Sequence, residues 1–445
     1  MSHIFPRHTA MRPPRAKKGD GCYIVDETGK RYFDAGGAAI DCLGHSDEKV
    51  TKAIKDQLDK IAFAHTGFFT SDSAEALADR LAEFAPGDLD RVYLVSGGSE
   101  ATEAAIKLAR QYHLERGEGK RARIIARLQS YHGNTLGALS AGGNMWRREP
   151  FGPLLVEMSH IDPCYAYRGQ RDGESLEDYG LRVANALEAE ILKQGPDTVA
   201  AFIAEPVVGA TMGAVTAVPG YFKRIREICD KYGVLLILDE VMCGMGRTGY
   251  LYACEADGIA PDILCIAKGL GAGYQPIGAM LCTKQIYETI EEGTGFFQHG
   301  HSYIGHPTAA AAGGAVLSRL VDDGLLERCR EMGGKLETAL QERFGQNPHV
   351  GDLRGRGLFR GIELVADRET KEPFDPSLKI NAAIKKAAFA RGLMCYPFGG
   401  TIDGKRGDHI LVAPPFIIED SHVDEIVDTL DGAIKDALGA QGIAA

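Results

Sequence analysis

Ile263-Leu264-Cys265-Ile266-Ala267-Lys268-Gly269-Leu270-Gly271-Ala272-Gly273 carries an apolar run straight into a lysine and then into glycines. The run reads as a short buried strand and the glycine-rich stretch as a tight loop. A lysine where a buried strand ends is costly, because desolvation disfavours the ammonium and pulls its pKa down. The neutral amine condenses with aldehydes, so the position suits Schiff-base chemistry. Taken alone, the ordinary reading is a surface lysine whose stem lies along the strand end while its head reaches water. The neighbouring stretches have to decide between the two.

Upstream, Val234-Leu235-Leu236-Ile237-Leu238-Asp239-Glu240-Val241 runs apolar residues into two carboxylates at a strand's carboxyl end, where open α/β sheets bind ligands. A buried carboxylate there needs a cation or a hydrogen-bond donor, and a protonated pyridine nitrogen would serve. A metal site and a helix N-cap are the competing readings. In Val92-Tyr93-Leu94-Val95-Ser96-Gly97-Gly98-Ser99-Glu100, a strand enters a small-residue loop that opens into a helix. Bared N–H groups at Gly97 and Gly98, the Ser99 hydroxyl and the helix's positive end favour a phosphate. An ordinary turn capped by Ser99 is the alternative. The loop has neither the Gly-Lys-Ser/Thr of a nucleotide-binding P-loop nor the G-x-G-x-x-G dinucleotide spacing. Tyr131-His132-Gly133-Asn134-Thr135 offers an aromatic that can stack on a flat ring, or simply pack. Ala204-Glu205-Pro206 ends another strand in a carboxylate suited to tuning a ring or to a structural ion pair. Together these strand ends supply what pyridoxal 5′-phosphate requires: a phosphate cradle, a stacking aromatic, a carboxylate for the ring nitrogen and an amine for the aldehyde.

The same pattern sets the fold class. Strands are expected at Val92–Val95, Ile124–Arg127, Val199–Ala204, Val234–Asp239, Ile263–Ala267 and Ile277–Cys282, and helices at Ala101–Glu115, Leu176–Leu192 and Gly220–Tyr232. Such alternation implies an α/β architecture with a mostly parallel sheet covered on both faces. Residues 20–34 read as a hairpin turning at Glu27-Thr28-Gly29-Lys30. The last third reads as a smaller α+β domain: a helical stretch Ala309–Phe344, then Gly357–Leu364, a helix near Ala382–Arg391, His409–Ala413 and a closing helix. The expected division is residues 1–49 as an N-terminal segment joining the small domain, 50–315 as the large domain and 316–445 as the C-terminal small domain.

With 445 residues the chain exceeds one ordinary core, and 44% hydrophobic residues suit a soluble globular protein. Fifty basic against 61 acidic residues give a formal charge of −11, which argues against nucleic acid or an anionic membrane as partner. The basic stretch Arg12–Lys18 reads as a solvated arm, with no apolar segment behind it to make a signal peptide, and no run reaches membrane-spanning length. The ten cysteines form no C-x-x-C pair, which fits reduced, buried thiols of a cytoplasmic protein.

Along nearly its whole length the sequence resembles the class III aminotransferases, a branch of the fold type I pyridoxal-phosphate enzymes. The most specific stretch is Leu238-Asp239-Glu240-Val241, Gly244-Met245-Gly246-Arg247-Thr248-Gly249, Pro261-Asp262 and Ala267-Lys268-Gly269-Leu270, with a 29-residue step from Asp239 to Lys268. The resemblance implies Lys268 as the Schiff-base lysine and Asp239 as the pyridinium partner. It also implies Gly98 and Ser99 as phosphate ligands, with Tyr131 and Val241 on opposite ring faces. His132 falls among the cofactor contacts and Glu205 on the substrate side. In His301-Ser302-Tyr303, Ser302 stands where the family usually has threonine, and looks like a phosphate ligand donated by a neighbouring subunit. A homodimer, or a dimer of dimers, with shared sites is therefore implied. Arg406 resembles the mobile arginine that binds a substrate carboxylate in many members; a solvent-facing loop charge is the other reading. Gly36-Gly37-Ala38-Ala39-Ile40 falls where relatives place pocket walls, so Ala39 is expected to leave room for a bulky amine. The implied activity is ping-pong amino transfer from an amine or ω-amino acid to a 2-oxo acid, pyruvate foremost. Racemases, epimerases and aminomutases share the same residues, and a non-catalytic α/β protein with a structural Lys268 is the reading from another class.

Overall fold

The computed structural model describes residues 3–36 and 38–444. Its centre is a seven-stranded sheet in the order Leu89–Val95, Gly278–Thr283, Ile263–Ile266, Leu235–Asp239, Val199–Ala204, Arg123–Arg127, Ser159–Ile161. Six strands are parallel; Gly278–Thr283 alone runs antiparallel to both its neighbours.

Alternation along the strands shows why both faces are covered. Leu236, Leu238, Leu264 and Ile266 enter one core, whereas Leu235, Ile237, Ile263 and Cys265 enter a second core on the opposite face. The second core is closed by Ala101, Ala104, Ala105 and Leu108 of the helix Gly98–Glu115. Small residues there let the helix lie close on the sheet. Leu176–Gln194 packs against Tyr221–Tyr232 on the first face. Each helix has its own start signal or stop signal: Ser175 caps the former, and Gly233 ends the latter in the left-handed region.

A second sheet, wholly antiparallel, runs Val350–Arg356, Phe359–Leu364, Asp408–Val412, Tyr396–Gly399. It shares its segment of chain with the helices Leu325–Phe344, Ile380–Ala390 and Asp420–Gly439. The N-terminal hairpin Tyr23–Asp26/Arg31–Asp34 extends to this part of the molecule, because Leu393–Met394 pairs in parallel with Arg31–Asp34.

Three local readings change. Ala16–Lys18, expected as solvated arm, is the start of an edge strand (Ala16–Asp20) paired with the hairpin. The stretch Ala309–Phe344 is two helices, Pro307–Val321 and Leu325–Phe344, broken where Gly324 takes φ +75°. Val350–Arg356, left unassigned by its polar pattern, is a strand in which Arg354 and Arg356 find carboxylate partners in Glu363 and Asp257. All ten cysteines are buried and unpaired, as expected. Among the described residues no helix is long and apolar enough to cross a membrane.

Candidate active site

A cavity of about 450 Å³ opens at the carboxyl edge of the parallel strands. Gly98, Ser99, Tyr131, His132, Glu205, Asp239, Val241 and Lys268 all line it, so eight residues singled out from sequence meet in one place. They follow four parallel strands and a fifth that ends at Ile266, which is why their separation in sequence does not separate them in space. The antiparallel strand brings its start to this same edge, placing Gln275, Pro276 and Ile277 in the wall.

Asp239 continues the face of Leu235 and Ile237, the side covered by the helix Gly98–Glu115. It is buried at 3% exposure, so its charge must be met locally. His132 Nδ1 lies 2.8 Å from Asp239 Oδ2, and the Val241 N–H donates to Asp239 Oδ1 at 3.0 Å. The pair fixes the carboxylate's plane. His132 Nε2 is buried without an acceptor among the described residues.

At the other end, the helix Gly98–Glu115 starts at Gly97 with no side-chain cap. Its first intrahelical bond is donated by the Ala101 N–H to Gly97, so the N–H groups of Gly98 and Ser99, both in the cavity wall, have no intrahelical acceptor. Eighteen residues of aligned peptide dipoles add a positive end. Gly98 is required for closeness: a Cβ there would sit 2.7 Å from Val241 Cγ1. The Ser99 hydroxyl accepts from the Asn134 N–H at 3.1 Å, tying the Tyr131 loop to this cradle. A phosphate-bearing flat heteroaromatic whose ring nitrogen carries a proton therefore fits the donor set from end to end.

Lys268 begins the turn Lys268–Leu270 with φ +43°, a left-handed conformation that costs a non-glycine residue about 1 kcal/mol or more. Surrounding protein desolvates its amine and pulls it below the ordinary lysine range, against the opposing fields of Asp239 and Glu205. Glu205 is held by the Tyr131 N–H at 3.0 Å and the Gly209 N–H at 3.1 Å. Burial raises its carboxyl nonetheless, with Asp239 adding repulsion and His132 and the two N–H groups opposing. Burial likewise raises the Tyr131 hydroxyl, while Arg147 counteracts.

Two expected residues stand elsewhere, and Ser302, expected to act in a neighbouring subunit's site, lies outside its own chain's cavity. Ala39 is turned away from the cavity into packing with Val207, Ala214 and Ala413, and Ile40 lines the wall in its place. The expected pocket-wall segment also includes Gly37, which lies outside the described residues. Arg406 is exposed, with Nε 2.8 Å from Asp403 Oδ2 in its own loop. Ser302 is exposed on the loop before the helix Pro307–Val321 and does not reach this cavity. Ile40 belongs to the segment expected in the wall; sequence reasoning missed Met242, Gly273 and Gln275, whose approach depends on loop paths that no periodicity encodes. It also missed Arg147, which lies over the Tyr131 ring at 4.6 Å.

Residues 4–434 match the family model described as Aminotransferase class-III. The chain is 46% identical over 441 residues to an uncharacterized aminotransferase of Schizosaccharomyces pombe, covering 99% of this chain and 96% of that one. It is 35% identical to an adenosylmethionine-8-amino-7-oxononanoate aminotransferase of Geobacter sulfurreducens, covering 98% and 96%. Among solved structures, an (S)-enantioselective omega-transaminase from Thermomicrobium roseum superposes with TM-score 0.91 at 36% identity, over 98% of this chain and 96% of that one. The omega transaminase of Pseudomonas jessenii in complex with PMP does so with TM-score 0.93 at 31% identity, over 100% and 98%.

Proposed function

Because the chain belongs to the class III aminotransferases, we propose that it moves an amino group from an amine or ω-amino acid to a 2-oxo acid, pyruvate foremost, with pyridoxal 5′-phosphate as cofactor. The observation that carries the reading is the convergence of Lys268, Asp239 and the Gly98–Ser99 cradle on one cavity. Gly98 and Ser99 would hold the phosphate, Tyr131 and Val241 the ring faces, Asp239 the ring nitrogen and Lys268 the aldehyde carbon. Bound there, the cofactor supplies an electron-withdrawing ring that stabilises a substrate carbanion.

The chain's own residues do the rest. Lys268 Nζ, whose ammonium form its surroundings disfavour, would take the proton from the substrate carbon that bears nitrogen and pass it to the former aldehyde carbon, with the reverse transfer in the second half-reaction. Asp239, held flat by His132 and the Val241 N–H, keeps the ring nitrogen protonated. Glu205, fixed by two backbone donors, presents a carboxyl whose pKa is raised by burial and further by Asp239, against the opposing field of His132. Both half-reactions use the same cavity, so ping-pong kinetics are expected. Ser302 of the partner subunit would complete the phosphate site, making a homodimer the minimal active unit.

An amine-donor panel with pyruvate and 2-oxoglutarate as acceptors tests the reading. Alanine formation with parallel double-reciprocal plots supports it. Inversion of a chiral amine without alanine would instead reveal an epimerase. Protein that stays colourless with pyridoxal phosphate and is unaffected by borohydride would defeat the cofactor assignment. Lys268→Ala should abolish turnover while cofactor binding stays measurable.

A further inference from the structure

Arg147 is a cation packed on Tyr131, a residue of the cavity wall, and among the described residues the fold has left it without an anion. It sits in the turn Met145–Arg148, whose start is fixed by Asn144 accepting from the Arg147 N–H at 3.3 Å. Its guanidinium carbon lies 4.6 Å from the centre of the Tyr131 ring and 5.0 Å from that of Phe398, with Trp146 at 5.7 Å. Phe398 is itself positioned by Trp146 edge-on at 5.6 Å and by Tyr396 stacked at 5.9 Å. Aromatic faces hold a guanidinium plane while leaving its edge N–H groups unused. Arg147 Nε is shielded from solvent and has no acceptor, and no carboxylate forms an ion pair with the side chain among the described residues. Most other partly buried arginines here are paired: Arg168 and Arg354 with Glu363, Arg182 with Glu174, Arg356 with Asp257.

The position is within electrostatic reach of the reacting group, because Arg147 lowers the pKa of both the Lys268 amine and the Tyr131 hydroxyl. Tyr131 in turn lines the cavity. Two other cations bear on the comparison. Arg406 is already met by Asp403, which also accepts from the backbone N–H groups of Lys405 and Arg406. Arg7, on the exposed N-terminal segment, acts on Tyr131 more weakly than Arg147 does.

We propose that Arg147 receives the carboxylate of the amino acid or oxo acid substrate, through a forked pair of N–H···O bonds at the cavity mouth, and so sets the preference for acidic over uncharged substrates. The inference rests on the amino-transfer reading above. A guanidinium presents two parallel donors that match a carboxylate's two oxygens, and its packing on Tyr131 means little side-chain freedom is lost on binding. The role falls to Arg147 rather than Arg406 because Arg406 must first give up Asp403.

The test uses cofactor-loaded enzyme in four forms: unaltered, Arg147→Gln, Arg147→Lys and Arg406→Gln. Calorimetric titration with propanoate, an unreactive carboxylate, reads binding without turnover. Steady-state rates with pyruvate and with an uncharged aldehyde acceptor read selectivity. For Arg147→Gln, propanoate affinity and the pyruvate-to-aldehyde ratio of kcat/KM should both fall about tenfold to a hundredfold, the worth of a charge-assisted pair. Arg147→Lys should recover part of each, having charge but no fork. Arg406→Gln should lose less than Arg147→Gln on both measures. Propanoate affinity and selectivity unchanged within about twofold in both Arg147 variants, or a loss confined to Arg406→Gln, overturns the assignment. Should Arg147→Gln unfold, the lysine variant and its thermal melt still decide, because a purely structural role predicts no change in selectivity. Absence of amino transfer to any acceptor would instead defeat the functional reading, while propanoate binding would still report on Arg147.

Discussion

Lys268 combines two unfavourable circumstances at one residue: a left-handed backbone and a desolvated amine. Each has its own measurable consequence. The unfolded lysine keeps its ordinary value near 10.5, whereas the folded one titrates lower. Between those two values the unfolded chain binds more protons, so stability rises with pH. Relative to Lys268→Met, the cofactor-free protein should therefore be fully stabilised above about pH 10.5 and progressively less so as pH falls toward the folded pKa. Denaturant melts of the two proteins across that range check it, and a pH-independent difference would remove the depressed amine from the account. The backbone term separates in the pair Lys268→Gly and Lys268→Ala. Glycine adopts φ +43° freely and alanine does not, so the glycine variant should be more stable by about 1 kcal/mol despite its more flexible unfolded chain.

At the scale of elements, the site depends on how tightly the helix Gly98–Glu115 approaches the strand Leu235–Asp239 and the residue that follows it. A methyl at Gly98 meets both γ-carbons of Val241, at 2.7 and 2.9 Å. Gly98→Ala should therefore push Val241 out of place and weaken pyridoxal-phosphate retention about tenfold, the scale of a 1–3 kcal/mol overpacking cost. Val241→Ala in the same chain should restore part of it, and fluorescence titration of the cofactor reads both. The apolar strands of this sheet were legible because each is buried on both faces and reads as a continuous run bounded by glycine or a charge. Six cavity-lining carboxyl-edge positions were legible for the same reason, since Lys268, Asp239, Glu205, Tyr131, Gly98 and Ser99 break such runs or directly follow them. What escaped has a different physical basis. Val350–Arg356 carries ion pairs to Glu363 on the adjacent strand and to Asp257 far back in the chain, rather than an alternating apolar pattern. Arg147 depends on being flanked by both Tyr131 and Phe398, a loop residue and a strand residue from different parts of the fold. Ala39 was expected in the wall, but its φ of +55° turns that stretch so that Ile40 faces the cavity instead.

For the whole molecule, the surface beside Ser302 is where the proposed second subunit would seat. Phe68 and Phe69 are 81% and 69% exposed, and Tyr303 is 63% exposed while its ring meets Phe63 edge-on at 5.9 Å. Clustered exposed aromatics of this kind mark an interface. Lys60, Ile61, Phe63 and Phe69 also line a second cavity of about 550 Å³, a concavity into which a matching surface can settle. A second copy of the chain seated there would cover the aromatics and carry Ser302 toward the neighbouring cofactor site, joining assembly to cofactor retention. Sedimentation at micromolar concentration should give twice the 47.9 kDa chain mass. Introducing Phe68→Glu and Phe69→Glu together buries two charges at that contact, and should yield a monomer that loses cofactor on gel filtration. Ser302→Ala separates the two effects: the dimer mass should persist while cofactor release quickens. A monomeric unaltered protein, or a double variant that stays dimeric with its cofactor, would place the shared phosphate ligand outside this surface.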